Sequence, residues 1–452
     1  MKKSKRDSRE IAVHILCEID RRKEYDHVVL QEELLLYHDI NSLDKAFITE
    51  LVKGTVKNQI HIDHIINQYS KIKTKKMKPW ILNILRIGVY QMKFLTKIPL
   101  SAACNESVKL AKKRGFNGLA GFVNGVLRTI SRNIDRITYP DEKEEPIEYL
   151  SVFYSYPNWL IQYWLEKYPY DFVKKLCEKG NEAPTVTIRY NPLKIDRQSL
   201  QLALESEGVK VTEGHYLEDA LQLTQTASIA NLVSFQQGLF QVQDESSMLV
   251  GHILDPQPGE VIFDLCAAPG GKTTQAAERM NNQGQIIARD ISNNKLDLID
   301  ISAKRLGISI INTQNQKADQ KDIDSIQKAD RVLIDAPCSG LGIIRKKPDI
   351  KFQKKREDIV QLAKLQRNIL DASWDYVKPG GVLVYSTCTI TAEENIDNIL
   401  WFIENYPFVL EDISSFLPFH LQGVESSKGF IQLFPHLHQI DGFFIARLRR
   451  KD

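Results

Sequence analysis

Cysteine is scarce in this chain and never closely spaced. Six occur, at positions 17, 104, 177, 266, 338 and 388, with no Cys-x-x-Cys pair. That argues against a disulfide framework or a zinc site, so no metal is expected, and it suits a reducing, cytoplasmic compartment. No run of eighteen apolar residues is present, so neither a membrane span nor a membrane partner is expected. Met1-Lys-Lys-Ser-Lys-Arg6 has the charge of a signal n-region. The apolar stretch behind it, Ile11 to Ile19, is short and interrupted by His14 and Glu18, so a signal peptide is not expected either. Internal repeats are missing. The chain's glycine turn at 269–271 fits neither G-x-G-x-x-G nor G-x-x-x-x-G-K-[ST], which argues against a nicotinamide oxidoreductase or a P-loop enzyme.

What is present starts with length. At 452 residues and 43% hydrophobic, the chain has room for two to four domains with sizeable cores. Net charge is only +3, but it is unevenly placed. Residues 1–140 hold 26 Lys and Arg against 14 Asp and Glu, an excess of +12, and the remainder carries −9. Such asymmetry suggests a basic module on a differently tasked body; a well-solvated helical surface is the plainer alternative.

The stretch Val261 to Thr274 is the chain's organising feature. Val261-Ile-Phe-Asp264 reads as a buried strand ending in a carboxylate. A turn with Pro269, Gly270 and Gly271 follows, then a helix from Thr273. Strand, tight turn and helix begin a βαβ unit whose helix N-terminus offers free N–H groups. Gln285 to Asp290 reads as a second strand ending in an acid, placed to hold ribose hydroxyls. Ala318-Asp319 is read as ending a third, facing an adenine amino group. Acids at successive strand ends line the crevice where open α/β sheets bind ligands; solvated turns are the bland alternative for each alone.

Residues 8 to about 135 read as helical, with Ile81, Leu82, Leu85, Val89 and Met92 at helical spacing. Ser101 is expected to cap a helix running to Gly115. Lys71, Lys73, Lys75, Lys76 and Lys78 form one basic run and Lys112-Lys113-Arg114 another, both suited to phosphates. The domain plan is a helical module over 1–140, an acidic linker over 141–150, a small α+β domain over 151–250 and an α/β domain over 251–452. Arg189, Asn191 and Gln243 to Ser247 are candidates for RNA or active-site contacts, or else turn and cap residues. Strands are expected at 261–265, 285–289, 309–313, 331–335, 382–386, 407–410 and 442–448, and helices at 293–305, 356–376 and 391–404.

Two thiols end strands. Arg331 to Asp335 runs into Ala-Pro-Cys338, and Val382 to Thr387 runs into Cys388. An isolated cysteine is usually a small buried hydrophobe, which is the reading for Cys17, Cys104 and Cys177. Two thiols facing one cofactor crevice suit a different chemistry. Carbon 5 of cytosine becomes nucleophilic once a thiolate adds to carbon 6, an acid supports the ring, and a base later removes the carbon 5 proton. Spacing alone leaves open which cysteine attacks.

From about 150 to 450 the chain resembles the S-adenosylmethionine-dependent RNA cytosine-5 methyltransferases of the NOL1/NOP2/Sun family. The residues carrying this are Asp264 to Thr274, Asp335-Ala-Pro-Cys-Ser-Gly340, Arg345-Lys-Lys-Pro-Asp349, Ser386-Thr-Cys-Thr389 with Glu393-Glu-Asn395, and Asp441-Gly-Phe-Phe444. Glu10 to Arg132 resembles the NusB-like RNA-binding domain through Leu85 to Gln91, Ile98-Pro99, Asn105 to Ala111 and Phe122 to Arg128. The resemblance implies three parts: an all-α NusB-like domain, a small α+β domain, and a Rossmann-like methyltransferase domain with a seven-stranded mostly parallel sheet. It implies S-adenosylmethionine bound by Cys266, Ala267, Ala268, Pro269, Gly270, Gly271, Lys272, Asp290, Asp319 and Asp335. It implies Cys388 as nucleophile, Cys338 assisting release and Asp335 orienting the cytosine. DNA enzymes use the Pro-Cys thiol instead; the presence of both Pro-Cys and Thr-Cys favours the RNA family. Leu341 departs from the family's frequent threonine. The basic run 345–347 is read as a contact to the substrate backbone, with a plain exposed loop as the alternative. A bacterial enzyme acting on 16S rRNA, as a monomer, is the implied whole. The competing reading is a non-catalytic, antitermination-like RNA-binding factor.

Overall fold

The computed structural model describes residues 7–37, 40–224 and 228–452. The basic Met1–Arg6 segment lies outside them. The chain divides into two units, Met1–Glu182 with Ile344–Arg356, and Ala183–Ile343 with Glu357–Asp452.

The first unit is helical. Helices Ser8–Arg22, Asp26–Leu35, Ser42–Lys57, Gln59–Tyr69, Pro79–Phe94, Leu100–Lys113 and Asn117–Arg132 surround one apolar core. Pro79–Phe94 is its axis. Pro79 occupies the first turn, where no N–H is needed, and Ile81, Ile84, Leu85, Ile87 and Val89 are buried. Ser101 does not cap the next helix. Pro99 does, in extended conformation with no side-chain cap, and the helix starts at Leu100. The expected linker is also corrected. Residues 141–145 form a turn, and Pro146–Tyr154 is a helix with proline in its first turn. Helices Asn158–Leu165 and Tyr170–Gly180 follow, and all three lie within the first unit.

The second unit holds two sheets. The small one comprises β1 (Val186–Tyr190), β2 (Lys210–Glu213), β3 (Ala220–Thr224) and β4 (Phe240–Val242), in the antiparallel order β2-β3-β1-β4. The large one comprises β5 (Val261–Asp264), β6 (Gln285–Asp290), β7 (Ile311–Asn315), β8 (Ala329–Asp335), β9 (Val377–Thr387), β10 (Phe408–Leu410), β11 (Phe430–Leu433) and β12 (Phe443–Arg450). Its order is β10-β12-β9-β8-β5-β6-β7, with β11 also on β12. Strands β5 to β9 are mutually parallel and β12 runs antiparallel to its three neighbours. The sheet thus has eight strands. The extra one is β11, Phe430-Ile-Gln-Leu433, on the outer side of β12.

Alternate side chains explain the layering. Ile262, Leu333, Val382 and Val384 join the core on one face, and Phe263, Val332, Ile334, Leu383 and Tyr385 join the core on the other. Strands buried on both faces read as continuous apolar runs, as parallel sheets require. Successive connections from β5 run outward to β6 and β7, then return to β8 and β9 on the opposite side. The order reverses between β5 and β8, and ligand crevices form outside the carboxyl ends of strands at such a point.

Candidate active site

Four strand ends meet at that reversal. Asp264 closes β5, Asp290 closes β6, Asp335 closes β8, and Cys388 follows Thr387 at the end of β9. After Asp264, Gly270 adopts φ 99° and caps helix Gly271–Arg279. A side chain at Gly270 would meet Ile299 as well as the unfavourable backbone angle. The Ala268–Pro269 peptide is cis. Thr273 Oγ1 donates to Asp264 Oδ2 at 2.6 Å, while Asp264 Oδ1 is buried without a hydrogen-bond partner among the described residues. Burial, with the nearby Asp335 charge, pushes the Asp264 carboxyl up to about 7.

The acids converge as expected. Cys266 sits in the turn, its thiol held far above the ordinary range, first by burial and then by Asp264, Asp335, Asp290 and Asp319. Asp290 accepts the Ala268 N–H at 3.4 Å and the Ser292 N–H at 3.2 Å. Asp319 reaches the same neighbourhood from elsewhere than expected. β7 ends at Asn315, and Asp319 lies exposed in the turn beyond it. The Gln316 N–H donates to the Asp290 carbonyl at 3.1 Å as the last link to β6, and the polar Gln316-Lys317 pair offers the sheet no further apolar side chain.

The two thiols lie side by side. Cys338 Sγ and Cys388 Sγ are 3.3 Å apart, and both are half-buried. The hydrogen bond to Cys388, then burial, holds the Cys338 thiol well above its usual range. Either sulfur can donate the proton of this contact to the other. Asp335 accepts from Lys272 Nζ at 2.7 Å and from Ser386 Oγ at 2.9 Å, and Lys272 also lies 5.0 Å from the Phe443 ring centre.

Glu394 and Asn395 hold this pair of loops together, a role the sequence did not disclose. Residues 392–395 form a turn rather than the start of the expected helix, which begins at Ile396. That turn sends Glu394 inward, fully buried. It accepts from Ser339 N at 2.8 Å, Ser339 Oγ at 2.5 Å, Thr391 Oγ1 at 2.8 Å and Gln366 Nε2 at 3.1 Å. Asn395 donates to the Thr389 carbonyl at 3.1 Å. Glu394 thus holds Ser339, next to Cys338, and Thr391, in the loop that follows Cys388, while Asn395 holds Thr387 and Thr389 on either side of Cys388. The adjacent Glu-Glu-Asn was the available signal, but sequence spacing does not show which acid turns inward. Gly342 donates to the Cys388 carbonyl at 3.0 Å and accepts from Gly442 at 2.9 Å. A Cβ on Gly342 would stand 2.0 Å from the Gly442 oxygen, which accounts for glycine at both places.

Several candidates are structural instead. Arg189 on β1 pairs with Glu278 at 2.7 and 2.9 Å, each only 2% exposed, and donates to the Gly271 carbonyl at 3.2 Å. It braces the glycine turn. Asn191 bonds the Gly238 and Leu306 carbonyls, and Glu245 accepts three backbone N–H groups from His215 to Leu217. Gln243 bonds Gln275 and Ser247, and Asp244 caps its helix. Leu341 and Arg345 are both buried, so the 345–347 run offers no fully exposed basic strip. In the helical unit Lys71, Lys73, Lys75, Lys76 and Lys78 are exposed, whereas Lys113 and Arg114 are paired with Glu10 at 2.5 and 2.9 Å.

Known proteins share these features. The family described as 16S rRNA methyltransferase RsmB/F matches residues 251–449, the NusB family matches 6–132, and the ferredoxin-like domain of RsmF/B-like methyltransferases matches 156–230. The fold is accordingly a NusB-like helical domain, a small ferredoxin-like domain and a methyltransferase domain. A probable ribosomal RNA small subunit methyltransferase B of Bacillus subtilis is 39% identical over 446 residues, covering 98% of both chains. The crystal structure of PH0851 superposes with a TM-score of 0.81 at 28% identity, over 99% of this chain and all of that one. NSun6 from Pyrococcus horikoshii, solved with SFG, gives a TM-score of 0.58 at 26% identity over 66% of this chain and 98% of that one. With such identity along nearly its whole length, the chain belongs to the RsmB/F family of 16S rRNA methyltransferases.

Proposed function

We propose that this protein methylates carbon 5 of a cytosine in 16S rRNA through a covalent bond from Cys388 to carbon 6. The observation carrying this reading is the pair of half-buried thiols 3.3 Å apart at the carboxyl edge of the sheet, next to Asp335. The residues fit S-adenosylmethionine. The orphaned Asp264 oxygen suits a cationic amino group, Asp290 suits ribose hydroxyls, and the turn 266–271 gives its backbone to the ligand. When bound, that molecule supplies the electrophilic methyl group that carbon 5 takes.

The chain's own residues do the rest. The target cytosine leaves its stack to enter the crevice, which is easiest in a loop or single strand. Cys388 first gives its thiol proton to solvent, and the resulting thiolate forms the sulfur–carbon 6 bond and sends an electron pair into the ring. Asp335 orients the base, and Lys272 beside it supplies positive charge where the ring becomes negative. Once Cys388 is bonded to carbon, Cys338 is the free thiol of the pair. Cys338 gives its proton to solvent and stands as the base. It takes the carbon 5 proton, the carbon 6–sulfur bond breaks, and the ring regains its aromaticity with the thiolate as leaving group. The exposed lysines at 71–78 belong to the helical unit and suit rRNA phosphates.

Two variants test the roles. Cys388→Ala is expected to abolish methyl transfer while calorimetry shows unchanged S-adenosylmethionine binding. Cys338→Ala is expected to accumulate an RNA–protein adduct that survives denaturing electrophoresis. Full activity in Cys388→Ala would overturn the assignment. Bisulfite sequencing of RNA from a deletion strain then identifies the cytosine that loses protection.

A further inference from the structure

We propose that Asp26, His27 and Asp349 form a binding site for one divalent cation of the Mn2+ or Zn2+ type in the helical unit. The three residues each bring one donor atom to within 4.8 Å of the others. Asp26 and Asp349 are 1% and 3% exposed, so neither carboxylate is a solvated surface group.

Part of this arrangement has an ordinary explanation. Tyr25 gives helix Asp26–Leu35 no side-chain cap. Asp349 Oδ2 takes that part by accepting the Asp26 N–H at 2.7 Å, and it also accepts from Gln353 at 3.3 Å. What remains has none. Asp349 Oδ1, Asp26 Oδ2 and His27 Nδ1 are all buried without a hydrogen-bond partner among the described residues. Unpartnered buried carboxylate oxygens are costly, and here two stand beside an unpartnered imidazole nitrogen. The burden shows in Asp26, pushed up to about 6 by burial and by the Asp349 charge. Lys53 and Lys347 are the cations near the cluster, and they act against Asp26 and His27 only through space.

A divalent ion satisfies all three atoms together. Two carboxylates and a neutral imidazole carry a charge of −2, matching the ion. One nitrogen with two oxygens is a borderline-hard donor set, suited to Mn2+ or Zn2+ more than to Ca2+ or Mg2+, which prefer oxygen alone. Bonds of about 2.0–2.2 Å would draw the donors inward, with His27 keeping its proton on Nε2. Water would complete the coordination. Sequence spacing hides the site, because Asp26 and Asp349 are 323 residues apart. The ion would pin segment 344–356 to the first turn of helix Asp26–Leu35.

Mn2+ is the probe, because it binds thiols poorly and leaves the Cys338–Cys388 pair aside. The full chain is stripped with chelator and titrated while the EPR signal of free Mn2+ is followed. One equivalent is expected to bind, with imidazole nitrogen coupling to the bound ion and a rise in Tm. His27→Ala should lose that coupling. His27→Ala and Asp349→Asn should each weaken binding by more than about tenfold, with circular dichroism confirming that they fold. No uptake below about 1 mM, the weak end of protein cation sites, would overturn the proposal. So would equal affinity in wild type and both variants, or bound Mn2+ without nitrogen coupling.

Discussion

Asp264 shows what burial does to a single carboxyl group. Folded, it titrates at about 7; its ordinary value is 3.8. Between those values the folded chain holds a proton that the unfolded chain has released. Stability from this residue is therefore complete below the lower value and is lost as pH rises through the upper one. Relative to Asp264→Asn, the ligand-free wild type should lose stability by about 1 kcal/mol per pH unit across that window, measured by urea unfolding. A ligand's amino group would remove the penalty, so S-adenosylmethionine should bind more weakly to Asp264→Asn. Glu394 is the opposite case, a buried acceptor with four donors around it. Glu394→Gln turns one oxygen into a donor facing other donors. It should cost about 1–3 kcal/mol and lower kcat more than it raises KM, because it loosens the loops carrying Cys338 and Cys388 while leaving the ligand-facing groups in place.

Elements position these groups through a few close approaches. The strand ends were legible in the sequence because Asp264, Asp290 and Asp335 each follow an apolar run that alternates between two cores. Asp319 was misplaced because a turn, not a strand, delivers it, and turns carry no apolar period. Helix Ile396–Asn405 begins later than its periodicity suggests because Glu394 and Asn395 are turned into the loop network. Where Gly342 passes Gly442, a methyl group has no room. Gly342→Ala should destabilise by about 1–3 kcal/mol and reduce methyl transfer, since its N–H holds the Cys388 carbonyl; denaturant midpoint and rate together check this. Arg189 links the small sheet to the helix behind the glycine turn. Arg189→Ala strands Glu278 in a buried site and should cost about 3–5 kcal/mol, seen as a lowered Tm; the paired loss in Arg189→Met with Glu278→Leu should be much smaller.

At the scale of the whole molecule, charge and catalysis are segregated. The amino-terminal 140 residues hold the basic excess, yet only part of it is available to a partner. Lys113 and Arg114 are engaged by Glu10, while the 71–78 lysines face solvent. Replacing Lys75 and Lys76 with Gln should weaken rRNA binding and lower the salt-dependence slope by about 0.9 for each phosphate no longer neutralised, read from binding at several salt concentrations. The Lys113→Gln, Arg114→Gln pair should change that slope less.

Local chemistry alone determined a great deal. Apolar runs ending in acids, a glycine turn ahead of a helix, and thiols after two strands specify the parallel sheet and its reactive edge, because burial and backbone geometry allow those residue types few other arrangements. Tertiary structure decided what no spacing encodes. It set that the two thiols lie side by side, that Arg189 and Glu245 brace rather than bind, that Glu394 ties both thiol-bearing loops, and that Asp349 comes to rest beside Asp26. Each depends on an approach between residues distant along the chain, where direction and burial, not residue type, govern the charge and the hydrogen bond.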